Sequence, residues 1–375
     1  MKSLSEILGG AQILLPVSFN PQECFEEYLS PEQRTFMALL GLVEKYLPQM
    51  ADTRSPIGRP AFETEPFVRA FLARSFFRIP STDGLRQRLK ADPNLRQIVG
   101  FRKVPSAATF SRRMTALAAT PLLTRALNTM TAQYHEGRIV GHISRDSTAI
   151  AVREKPANKK REVAPLPEPK RKRGRPRKGE SRPAKKIGRL ERQLRMKPGK
   201  AVAELDCVCA WGCKKNSQGN ISFWKGCKLH LDVTDLGIPV TAVVTGANVH
   251  DSQLAIPMEK WTERKITYLY SVMDSAYDAR PIVGYIEGKG RVPLIDPNKR
   301  RGGERIAFTP SQQERFKVRS VVERANSHLK DWFIPAQIFV RGIAKVSFQL
   351  LCAVLSLAAL KILQHFELKP PPLEA

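Results

Sequence analysis

The sequence predicts an α/β fold in which a mixed sheet flanked by helices follows an all-α N-terminal domain. Three observations predict it. Residues 1–138 carry apolar positions at helical spacing behind recognisable start signals. From Ile139 onward the apolar runs become short or alternating, as strands do. Between the first and second of those runs lies a basic, proline-rich stretch with almost no aromatic residues, which cannot bury a core. The 375 residues are 42% apolar, enough for a substantial interior, and at roughly 150 residues per domain they allow two or three domains.

Each N-terminal helix has a local reason. Ser30-Pro31-Glu32-Gln33 supplies an N-cap, a proline at the first helical position and a glutamine that can reach back. That helix runs to about Leu47. Thr64 and Pro66 open a second helix bearing Phe67, Val68, Phe71 and Leu72. Ser81 opens a third with Leu85 and Leu89, and Ser106 a fourth with Phe110, Met114 and Leu117 on its core face. The other face of the fourth presents Thr109, Arg112 and Arg113. Polar and basic residues in a first helical turn can enter a major groove, and they also suit an ordinary solvated face.

The charge narrows the class. There are 62 Lys and Arg against 35 Asp and Glu, a net charge of +27, with a pI near 10.2. Such a surplus points to a polyanionic partner, nucleic acid or an acidic membrane. Residues 153–200 alone carry 20 Lys/Arg, 5 Asp/Glu and seven prolines, more than half of the net charge in 48 residues. The expectation is a disordered basic arm spanning 153–200. Within it, Lys170 to Lys178 reads KRKRGRPRK. Its Arg173, Arg175 and Arg177, in an extended Arg-Gly-Arg-Pro context resembling an AT-hook, suit the narrow minor groove of A·T tracts. The plain alternative is a solvated linker attracted to phosphates at large.

Six cysteines lack the spacing of a disulfide framework. Cys207, Cys209, Cys213, Cys227 and His230 have zinc-ligand types, but C-x-C-x3-C-x13-C-x2-H is not a pair of CxxC knuckles, so strand and turn roles are favoured. The N-terminus has no continuous apolar signal region. Val346–Leu360 is too short to span a bilayer, which needs about twenty apolar residues, and reads as a buried helix. A cytoplasmic, nucleoid-associated protein with no membrane partner is expected.

Strands are expected at Ile139–Val152, Gly226–Val233, Ile238–Thr245, Ile266–Met273 and Val292–Ile295. Leu236-Gly237-Ile238-Pro239 joins the second and third as a hairpin. The first strand is the opening of the second domain, and residues 201–375 supply the rest of it. Helices are expected over Asp278–Gly288 and Thr309–Asp331.

In so basic a chain, carboxylates at strand ends stand out. Asp146 lies within the first strand, and Asp274 ends the run Tyr268–Met273. On the long helix, Arg319 and Lys330 lie four before and seven after Glu323. At 100° per residue they fall about 40° and 20° from its direction. Phe316 is close to the same line. A carboxylate flanked by cations suits a site that binds metals and phosphates. Phosphodiester attack needs an activated nucleophile and a stabilised leaving oxygen, which two divalent ions on oxygen ligands provide.

In that order these motifs resemble the DDE transposases of bacterial insertion sequences, which have an RNase-H-like catalytic core. Phe316-x2-Arg319-x3-Glu323-x6-Lys330 resembles the family's Tyr-x2-Arg-x3-Glu-x6-Lys signature, with Phe316 in place of tyrosine. Asp274-Ser275-Ala276-Tyr277 resembles the second aspartate motif, and Asp146-Ser147-Thr148 the first. Trp224–His230 and Ala247–Ser252 are also similar to members of the group. The resemblance covers roughly Ile139–Phe366. It implies an RNase-H-like fold and a catalytic, metal-binding triad of Asp146, Asp274 and Glu323 on two Mg²⁺ or Mn²⁺ ions. Arg319 and Lys330 would bind phosphate. The implied partners are terminal inverted repeats, target DNA and a second copy of the chain on DNA. The 49 positions from Asp274 to Glu323 leave no room for the β-rich insertion of some relatives. His250-Asp251 reads as a polar loop near the site. Lys228 and His230 read as strand residues with solvated tips or DNA contacts. A nuclease that only hydrolyses, and a DNA-binding regulator derived from a transposase, share parts of this pattern.

Overall fold

The computed structural model describes residues 28–48, 62–156, 187–215, 218–298 and 307–368. Among the described residues, six helices lead: α1 (Pro31–Glu44), α2 (Glu65–Phe76), α3 (Thr82–Ala91), α4 (Pro93–Val99), α5 (Ala107–Ala118) and α6 (Leu122–Tyr134). Their starts follow the local chemistry. Ser30 and Gln33 form a reciprocal capping box at α1, Ser81 caps α3 and Ser106 caps α5. The expected core residues Leu85, Leu89, Phe110, Met114 and Leu117 are all buried.

The second half contains β1 (Ile139–Ala151), α7 (Arg189–Arg195), α8 (Pro198–Ala203), β2 (Ala210–Lys215), β3 (Ile221–Thr234), β4 (Pro239–Gly246) and α9 (Ser252–Thr262). After these come β5 (Thr267–Met273), α10 (Arg280–Glu287), β6 (Val292–Ile295), α11 (Pro310–Phe316), α12 (Ser320–His328) and α13 (Ile343–Leu368). The sheet order is β2-β3-β1-β5-β6, with β4 also paired to β3. β3 is antiparallel to β1, β2 and β4, while β5 is parallel to β1 and β6. The path β4-β3-β1-β5-β6 is the three-antiparallel, two-parallel sheet of an RNase-H-like fold. Gly237, at φ +78°, makes the expected hairpin turn. Gly226 allows β3 to close on β1, because a Cβ there would lie 1.9 Å from Ile150 O.

The segment expected as a disordered arm over 153–200 is described only at its two ends. Residues 157–186, with Arg173, Arg175 and Arg177, lie outside the described residues. Its far end forms α7 and α8. The Lys260 ammonium donates to the carbonyls of Gln193, Leu194 and Met196 at 2.8–2.9 Å, and satisfies the last turn of α7.

The helix expected over Thr309–Asp331 is also broken. A 3₁₀ turn at Lys317–Arg319 separates α11 from α12, and Leu329–Phe333 is a π-helical turn. The 100° phase that aligns Phe316, Arg319, Glu323 and Lys330 therefore does not hold along the segment. Phe316 instead packs against Phe308, with ring centroids 5.0 Å apart.

The buried helix expected around Val346–Leu360 is α13. Its span Ile343–Phe366 is long and apolar enough to cross a membrane by length and composition, yet most of it is buried inside the protein. It packs on α1, α2, α5, α6 and β4, and one apolar cluster joins the N-terminal helices to the sheet.

Candidate active site

Parallel pairing brings the two aspartates together. Ile143 pairs with Ser271 and Ser144 with Val272. Continuing that register by two residues sets Asp146 on β1 beside Asp274 at the end of β5. Both side chains are half-buried. Burial raises the Asp146 carboxyl to about 6, and the negative charges of Asp274 and Asp251 add to the rise against the pull of Arg319. Burial likewise raises Asp274, with Asp251 and Asp296 adding to it, while Arg319 and the Ala276 N–H at 3.0 Å oppose it.

The helical segment reaches over this pair. On α12, Asn326 donates from Nδ2 to Asp146 Oδ2 at 3.2 Å. Arg319 lies within electrostatic reach of both aspartates and donates from Nη1 to Glu323 Oε1 at 2.6 Å. Glu323 is about half exposed. Lys330 sits in the π turn. Desolvation lowers its ammonium, Lys214 adds to that, and Asp146 opposes it. The three sequence-expected carboxylates and both expected cations thus gather at one end of the sheet. Among the described residues, no three His, Cys, Asp or Glu side chains form a finished metal cage. The donor set is nevertheless all oxygen, and the crowding of Asp146, Asp274 and Asp251 is the kind of charge that a hard divalent cation relieves.

Residues 142–358, more than half of the chain, match the family of the transposase DDE domain, and residues 24–115 match a transposase domain, DUF772. The chain belongs to the DDE transposase family. No curated protein and no solved structure matches it.

Further residues of this transposase shape the site, and Asp251 lies in the polar loop expected near it. Asp251, at the start of α9, contributes to the field on both aspartates. It accepts from Lys228 Nζ at 2.9 Å, and the same ammonium donates to Val249 O at 2.9 Å. His230 is no solvated strand residue. It is fully buried, and its Nε2 lies 2.9 Å from Thr245 Oγ1. Beneath the site, Arg145 grips Asp232 with two bonds of 2.6 and 2.8 Å and donates to Ala255 O at 3.0 Å. Glu259 lies 3.3 Å from the same guanidinium. Asn326 could have been found from the sequence, since it stands three residues after Glu323 on a helix.

The other sequence candidates sit apart from this cluster. Arg112 is exposed on α5. Arg113 donates to Phe62 O at 2.5 Å and covers the Phe67 ring. Cys209 Sγ donates to Glu154 O at 3.3 Å.

Proposed function

We propose that this transposase cleaves DNA at the ends of its element and joins the freed 3′-OH to target DNA. The observation that carries the reading is the in-register pair Asp146 and Asp274 under the Arg319–Glu323 bridge. Asp146, Asp274 and Glu323 would hold two Mg²⁺ or Mn²⁺ ions, with Glu323 released from Arg319 to complete the set. The chemistry such ions supply is activation of the attacking oxygen and stabilisation of the leaving one.

The chain's own residues do the rest. Asn326 orients Asp146 by its 3.2 Å bond. Arg319, once free of Glu323, offers a planar fork to two phosphate oxygens, and Lys330 offers a point charge beside them. The basic arm, with Arg173, Arg175 and Arg177, together with Arg112 on α5, would hold terminal repeats and flanking DNA through phosphate contacts. Two element ends must meet, so two copies act together on DNA, in the bacterial cytoplasm at the nucleoid.

A strand-transfer assay with pre-cleaved ends tests the reading. Joined products in Mg²⁺ are expected. Hydrolysis without joining would leave a simple nuclease, and DNA binding without cleavage would leave a regulator.

A further inference from the structure

Among the described residues, Arg78 is the only non-glycine with a positive φ, at +50°. Its position explains the geometry. At the end of α2, Ile79 N donates to Arg74 O at 2.8 Å and Arg78 N to Ser75 O at 3.0 Å. This is a Schellman ending, and Arg78 occupies the left-handed position that glycine usually takes because a Cβ is penalised there. The buried Arg74 guanidinium fixes the loop by donating to Ile79 O and Pro80 O at 3.3 and 2.7 Å. A penalised conformation at an exposed residue calls for something that the side chain does.

The side chain crosses to the catalytic half. Arg78 donates from Nη2 to Lys330 O at 3.0 Å and from Nε to Ile334 O at 3.3 Å. These carbonyls belong to the end of the π turn. Ile334 N is taken by Leu329 O at 2.8 Å, the bond that makes the turn π-helical. The next donor in that ladder would be residue 335, which is proline and has no N–H. The π ladder therefore offers Lys330 O no donor at residue 335, and the Arg78 guanidinium supplies one. Phe76, at the end of α2, approaches Phe333 at 6.4 Å between ring centroids, so the same two segments also meet through rings.

We propose that Arg78 is a positioning residue: it latches the N-terminal helical region to the π turn and so sets where Lys330 stands at the carboxylate site. In this left-handed geometry the Arg78 guanidinium reaches both carbonyls, which is a reason to retain the strain. Through the latch, DNA held on the N-terminal helices bears on a phosphate-binding lysine of the active site. The effect on cleavage rests on the function proposed above; the latch itself does not.

The test uses full-length Arg78→Gly and Arg78→Asn. Both residues accept the left-handed backbone, and neither reaches Lys330 O. The expected result is exchange of the Ile334 amide at least tenfold faster, with the amides of α2 and β1 unchanged and a melting temperature no lower than wild type. With wild-type protein cleaving end-containing DNA in Mg²⁺, both variants lose about tenfold in kcat and keep their affinity for the end. A structural role alone would lower the melting temperature and leave kcat of the folded fraction intact. Unchanged Ile334 exchange overturns the latch. Faster exchange with undiminished kcat overturns the positioning of Lys330. If wild-type protein does not cleave, the proposed function fails, and Ile334 exchange still decides whether the latch exists.

Discussion

Arg145→Met isolates the buried ion cluster on which β1 rests. Arg145 is 1% exposed, and its guanidinium is surrounded by Asp232, Glu259 and Ala255 O. Methionine keeps much of the volume and removes every donor. Asp232 then retains the Thr262 hydroxyl at 2.6 Å, and Glu259 retains Ser271 at 2.8 Å and the Tyr268 hydroxyl. Two like charges remain buried together without the guanidinium that bonded them. Removing one partner of a buried pair costs about 3–5 kcal/mol. At roughly 2–4 °C per kcal/mol, the melting temperature falls by roughly 6–20 °C. Urea denaturation reads the loss. Adding Asp232→Leu should recover part of it by removing an orphaned charge. A loss below about 1 kcal/mol, or no recovery in the double variant, would remove Arg145 as the anchor of β1.

Other outcomes follow from the same interior. Burial depresses His230 and His135 to about 4. Each therefore contributes stability that is present above the unfolded value, near 6.5, and is lost as pH falls toward 4. His230→Gln should flatten that part of the stability–pH curve, and an unchanged curve would remove His230 as a cause. Asp251→Asn should lower Mn²⁺ affinity, while Lys228→Ala, which removes an internal cation from Asp251, should raise it; titration calorimetry showing both variants moving the same way would contradict the shared field at Asp251. Deleting residues 157–186, which spares α7, should reduce the slope of log K against log salt by about 0.9 for each phosphate that the segment neutralises. An identical slope would mean that the segment does not touch DNA. Arg319→Lys should keep the melting temperature and lose cleavage, since it keeps the charge but loses the fork, and normal cleavage would return Arg319 to an ordinary helix ion pair.

Much of the architecture was legible because local signals and tertiary structure agree. Ser30, Ser81 and Ser106 cap where their side chains allow, and Val292–Ile295 is a strand over the expected residues. Asp146 and Asp274 were visible as carboxylates at strand positions, although their pairing depends on a parallel register that sequence spacing does not specify. The break in the Thr309–Asp331 helix was less visible, because a π turn is decided by where carbonyls find donors. Pro335 marks its end, but the donor that replaces the missing N–H is Arg78, 252 residues before Lys330. α7 was hidden by its composition. Its charges predict a solvated arm, and Lys260 on α9 supplies the carbonyl partners that fold it. His230 and Asp232 share the alternation of any half-buried strand, and only the layer packed over β3 decides that they are fully enclosed.

On the proposed function, Asp146, Asp274 and Glu323 act as one set on DNA. The most direct measurement is single-turnover cleavage of end-containing DNA in Mg²⁺ by Asp146→Asn, Asp274→Asn and Glu323→Gln, with end binding measured on the same preparations. Each substitution removes a metal-binding oxygen charge and nearly preserves shape. All three variants are expected to lose cleavage while holding the end about as tightly as wild type. Near wild-type cleavage by any one of them would remove that residue from the set, and near wild-type cleavage by Asp274→Asn would contradict the site itself.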